Sequence, residues 1–99
     1  FADADEVMAK LYEESEEVKS AIASADAVAI EEEVGDLLFT AVSLARKLGV
    51  NAEEALVHAT DKFIDRFSRL EVEAEKRGAD IREMSMSELD AIWDRIKHN

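Results

Sequence analysis

Two runs of carboxylates carry the clearest chemistry in the chain: Glu13, Glu14, Glu16 and Glu17 around Ser15, then Glu31, Glu32, Glu33 and Asp36 around Val34 and Gly35. A charge run is ordinarily a solvated helix face, and Glu13, Glu16, Glu31 and Glu32 fit that description. Position on the helix separates the others. At about 100° per residue, Glu14 falls within the arc of Val7, Leu11 and Val18, and Glu17 lies on its flank. Glu33 borders Leu37 and Leu44, with Asp36 a turn further along on the outer side. An ionised carboxylate beside an apolar seam is costly unless it is paired or coordinates a metal. With a turn near Ser24 and Ala25, an antiparallel hairpin sets Glu17 level with Glu33, and Glu14 level with Asp36. Oxygen donors from i, i+3 pairs on facing helices are hard-cation chemistry, Mg²⁺ or Mn²⁺ with several waters retained. A zinc site would need His or Cys, and a di-iron bundle would need a Glu-x-x-His repeat. There is no cysteine, and His58 and His98 read as exposed surface residues.

The same ruler applies to a second hairpin turning at Gly49 and Val50. It puts Lys62 level with Asp36 and Arg66 level with Glu33. Lys62 and Arg66 are an i, i+4 like-charge pair, which an isolated helix disfavours. Two readings stand. The cations make surface salt bridges, to Asp65, Glu73 or the second helix, or they hold a metal-bridged polyphosphate against the carboxylates. Trp93 and Lys97 form another i, i+4 pair that would cover a nucleobase and reach a phosphate. A Trp spaced with Leu89 and Ile96 also reads as core.

Helices must position these groups. Proline is absent, glycine occurs three times, and apolar residues recur at helical spacing, so the chain reads as four helices and no strand. The first runs from about Asp5 to Ala23, with Val7, Met8, Leu11, Ser15, Val18 and Ile22 on its inner stripe. The second follows a cap at Ser24 or Asp26 and ends at Gly49. Its stripe is broad, with Ile30, Val34, Leu37, Leu38, Ala41, Val42, Leu44, Ala45 and Leu48, which suits packing on more than one side. Asn51 and Glu54 form a capping box for the third helix, which stops at Gly78. Ser85 or Ser87 opens a short fourth. The expected fold is all-α, an antiparallel four-helix bundle that assembles as a dimer or larger oligomer.

Ninety-nine residues allow one domain with a thin core. A formal charge of −12 opposes binding to nucleic acid, and a phosphate ligand would need a divalent cation between it and the protein. The apolar runs are too short for a membrane span, there is no signal-like start, and the lack of cysteine agrees with a cytoplasmic setting.

Glu-Glu-x-x-Glu (Glu13, Glu14, Glu17) followed by Glu-x-x-Asp (Glu33, Asp36) resembles the metal-binding signature of the all-α nucleoside triphosphate pyrophosphohydrolases. Glu31 to Phe39, Leu44 to Gly49, Glu53 to Leu56, and Lys62-Phe63-x-x-Arg66-Phe67 are similar in order and spacing to the MazG branch. The resemblance runs from about Leu11 to Lys97. It implies that Glu14, Glu17, Glu33 and Asp36 are metal ligands, that Lys62 and Arg66 bind phosphates, and that Trp93 and Lys97 contact the nucleotide. It also implies a homodimer or tetramer that converts a nucleoside triphosphate to the monophosphate and pyrophosphate. Thr60 and Asp65 depart from the branch, which often has Asn and a basic residue there. The chain begins at Phe1 where many relatives have an earlier helix, so residues 1–99 read as a fragment or excised domain.

The expected activity is Mg²⁺-dependent hydrolysis in which water, held by Glu17 or Glu33, attacks the α-phosphorus and pyrophosphate leaves. The rival is a non-enzymatic helical dimerisation or nucleotide-sensing module that keeps the carboxylate cage without turnover.

Overall fold

The computed structural model describes residues 3–98, all of whose regular elements are helical. They are α1 (Ala4–Ser24), α2 (Ala27–Lys47), α3 (Ala52–Lys76), a single 3₁₀ turn at Ile81–Glu83, and α4 (Met86–Lys97). The four-helix, strandless reading holds among the described residues, and the 3₁₀ turn is an addition to it.

Local chemistry sets the boundaries. Asp3 caps α1 by accepting from the Glu6 N–H at 2.9 Å. Asp26 caps α2, accepting from Val28 N–H at 3.0 Å and Ala29 N–H at 3.4 Å. The Glu54 N–H donates to Asn51 Oδ1 at 3.0 Å before α3. Ser85, not Ser87, opens α4, in a capping box where Glu88 N–H donates to Ser85 Oγ and Ser85 N–H donates to Glu88 Oε1. Gly49 and Gly78 follow α2 and α3 at φ +70 and +66, the left-handed conformation that ends a helix. Ala25 does the same job after α1 at φ 56, where a Cβ is strained.

The described residues belong to two compact units that divide after Ala55. In the first, α1 and α2 pack on each other as an antiparallel hairpin. Its inward positions follow a seven-residue repeat: Val7, Glu14 and Ala21 are buried, and Ala4, Leu11 and Val18 are half-buried. Ile30, Leu37 and Leu44 are half-buried on α2, with Glu33 half-buried and Thr40 buried between them. A period of seven keeps one seam facing a partner helix. The expected stripe of α1 was therefore turned slightly wrong, since Ile22 is 61% exposed and Ser15 is exposed. Half of the broad stripe of α2 is left in water, with Leu38 63% and Val42 46% exposed.

In the second unit Leu70, Ala74 and Ile92 are buried and join α3 to α4. Phe63 and Phe67 stack with ring centroids 5.9 Å apart, and Phe63 lies 5.6 Å from Trp93.

Candidate functional site

The seven-residue repeat puts two acids where an apolar residue would normally sit. Glu14 is buried at a seam position of α1, and Glu33 is half-buried at a seam position of α2. Together with exposed Glu17 they bring one carboxylate oxygen each to within 4.8 Å of one another. Glu14 Oε1 is paired with Lys10 Nζ at 3.3 Å, and the same ammonium lies 3.6 Å from Glu13 Oε2. The hydrogen bond to Glu14, with the Glu13 charge behind it, holds Lys10 above its ordinary pKa. Lys10 was not singled out in the sequence, although its i, i+4 spacing to Glu14 signals the pair.

One cation does not satisfy the group. Glu14 Oε2 and Glu33 Oε2 are both buried without a hydrogen-bond partner. Glu33 is raised above the usual carboxylate range, first by the hydrogen bond its protonated form shares with Glu17. Burial adds to this, and then the charges of Glu17, Asp36 and Glu14. A buried acid group that resists ionisation and leaves acceptors unused fits a small hard cation bound through oxygen. Asp36 is exposed one turn beyond Glu33 and stands outside the three converging carboxylates, though its charge reaches Glu33.

On α3 the acids within reach of Lys62 and Arg66 by spacing, Asp65 and Glu73, are engaged elsewhere. Asp65 pairs with Arg69 at 3.2 Å, while Glu73 takes Arg77 at 3.5 Å and Arg95 at 3.6 Å. Within the second unit no ion pair among the described residues involves Lys62 or Arg66, so salt bridges to Asp65 or Glu73 do not describe them. Lys62 is exposed and Arg66 half-buried on successive turns. Trp93 is half-buried against Phe63, and Lys97 is exposed one turn on.

Residues 3–70 match the model of the MazG nucleotide pyrophosphohydrolase domain. The chain belongs to the MazG family. The matched stretch holds the carboxylates, Lys62 and Arg66, and ends before Trp93 and Lys97. Similarity to MazG relatives extends further. A nucleoside triphosphate pyrophosphohydrolase/pyrophosphatase MazG of Thermotoga maritima is 42% identical over 97 residues, 98% of this chain. A nucleoside triphosphate pyrophosphohydrolase of Escherichia coli K12 is 40% identical over 93 residues, 92% of this chain. The chain spans only 37% and 35% of the lengths of these MazG relatives.

Proposed function

We propose that this chain is a catalytic MazG domain, spanning 1–99, that hydrolyses nucleoside triphosphates to the monophosphate and pyrophosphate with Mg²⁺. The observation that carries the reading is the pair of unpartnered buried oxygens, Glu14 Oε2 and Glu33 Oε2, within a converging group of three carboxylates. Glu14, Glu17 and Glu33 would hold the cation, with Asp36 completing the set when the ion draws it in. Mg²⁺, or Mn²⁺ in its place, supplies charge that polarises the phosphate oxygens and the attacking water.

The chain's own groups do the rest. Glu17 or Glu33 would accept a proton from water, a role supported by the exposure of Glu17 and the raised proton affinity of Glu33. Lys62 and Arg66 bind phosphate oxygens, Arg66 through a bidentate fork and Lys62 as a point charge. Trp93 covers the base and Lys97 reaches a phosphate.

The reading includes self-association. Leu38, Phe39 and Val42 are 63%, 70% and 46% exposed on one stretch of α2. Leaving such side chains in water forgoes roughly 25 cal/mol per Å² of apolar surface, and a second copy of the chain would cover them. None of the described helices is long and apolar enough to cross a membrane, and the acidic charge opposes nucleic acid as a partner. Action on a soluble nucleotide in the cytoplasm completes the proposal.

The test is a panel of ribo- and deoxynucleoside triphosphates with Mg²⁺, assayed for released pyrophosphate. Turnover of at least one member is expected. Binding without turnover of any would favour a nucleotide-sensing module.

A further inference from the structure

Between α3 and α4 lies an open pocket of about 260 Å³, lined by Phe63, Phe67, Leu70, Leu89, Asp90 and Trp93. Drug-sized ligands occupy roughly 300–1,000 Å³, so this space suits a single heterocycle. Phe63 and Phe67 are 55% and 38% exposed, leaving aromatic surface on which a flat ring can stack. The unpaired cations Lys62 and Arg66 adjoin the two phenylalanines in the sequence of α3, so the helix offers aromatic surface and positive charge side by side. The ligand to match is part flat and apolar, part anionic.

The lining has one charged member, Asp90, on α4 one turn before Trp93. Its carboxylate is exposed and enters no hydrogen bond or ion pair among the described residues. An ionised carboxylate has only acceptors to offer. Among the common bases guanine alone presents two adjacent donors, N1–H and the N2 amino group, which match a carboxylate's two oxygens. Adenine and cytosine set a ring-nitrogen acceptor beside their amino group, and that lone pair would face a negative oxygen. Hypoxanthine keeps the N1–H and lacks the amino group.

We infer that Asp90 is a specificity residue, accepting the N1–H and N2–H of a guanine stacked in the Phe63, Phe67 and Trp93 pocket. This deepens the proposed function and rests on it for the rest of the substrate. A bidentate pair of this kind discriminates against the wrong base, and at an exposed position about tenfold is expected.

Trp93 is the only tryptophan, so its fluorescence reports on this pocket alone. GMP, IMP and AMP are titrated without metal into the wild type, Asp90→Asn and Asp90→Ala, with helicity of each variant checked by circular dichroism. Without metal the carboxylate cage is not called upon, and the readout is separate from catalysis. GMP should bind about tenfold more tightly than IMP or AMP; Asp90→Ala should erase the difference while leaving AMP binding within about twofold, and Asp90→Asn, whose amide donates as well as accepts, should lose the GMP preference and tighten AMP. Equal affinities in the wild type, a GMP preference that survives in a folded Asp90→Ala, or no fluorescence response to any of the three would overturn the inference. Failure of the triphosphate assay beside an intact, Asp90-dependent GMP preference would instead remove the hydrolase reading and leave the base site standing.

Discussion

Glu14 and Glu33 face each other across the α1–α2 hairpin with one oxygen apiece buried and unpartnered, and with Lys10 serving only the other oxygen of Glu14. The hairpin thus spends seam positions, where a leucine would add stability, on holding acids together.

Removing one of the charges should separate function from stability. Glu33→Gln is nearly isosteric and relieves repulsion from Glu17, so it should raise the melting temperature of the metal-free protein. It should also cancel the further rise that Mg²⁺ or Mn²⁺ gives the wild type, which reaches about 2.7 kcal/mol at a hundred times Kd. Thermal melts with chelator and across a millimolar metal titration measure both. A lower melting temperature for the metal-free variant would mean that Glu33 is not a strained group.

Acid should act on the chelated protein in two opposite ways. Glu33 is raised in the folded state, so its contribution to stability is fully present below the ordinary glutamate value of about 4.3 and is lost as pH rises through its raised value. Asp80 is lowered by Arg82, chiefly through the side-chain hydrogen bonds. Its contribution is present above the ordinary aspartate value of about 3.9 and is lost as pH falls through the lowered one. Denaturation followed from pH 3 to 7 should show that Glu33→Gln flattens the upper part of the profile, and that Asp80→Asn lowers stability by a constant amount at the upper end and removes the loss toward acid.

Roles along the site can be told apart by kinetics beside titration calorimetry with Mn²⁺. Asp36→Asn should abolish turnover and weaken metal binding, while Glu31→Gln, on the exposed side of the same run, should do little. Arg66→Ala should cost about 2 to 4 kcal/mol in kcat/KM and leave metal binding without nucleotide unchanged. An inactive Glu31→Gln or a fully active Arg66→Ala would show the roles to be misplaced.

Assembly is tested by Leu38→Glu. Sedimentation of the wild type at micromolar concentration should give a dimer or larger species, and the substitution should shift it toward monomer. The side chain lies outside the hairpin seam, so helicity should persist. A monomeric wild type would reject self-association.

Strain at the first turn gives a separate handle. Ala25 sits at φ 56, so Ala25→Gly removes a steric penalty of roughly 1–2 kcal/mol and gives back about 0.4–1 kcal/mol through the freer unfolded chain. Urea denaturation should show a small net gain, a few tenths to about 1 kcal/mol, with activity unchanged.

Four helices and most of their ends are legible in the sequence, as is the position of Glu14 within an apolar arc. Those are local properties: Asp26 and Ser85 satisfy exposed backbone N–H groups within a turn of themselves, Gly49 and Gly78 adopt a conformation other residues resist, and Glu14 stands in an apolar arc whatever the helix packs against. Which side of each stripe is used depends on the packing of α1 on α2. The period of seven that joins α1 to α2 buries Ala21 and leaves Ile22 in water, a difference of one residue that hydrophobicity alone ranks the other way. The tertiary structure also decided which charges are taken. Lys10 goes to Glu14, Asp65 to Arg69, and Glu73 to Arg77 and Arg95, leaving Lys62 and Arg66 unclaimed. Spacing allowed several of those pairings, and the choice between them rests on side-chain reach, the part of the geometry that a list of residues does not contain.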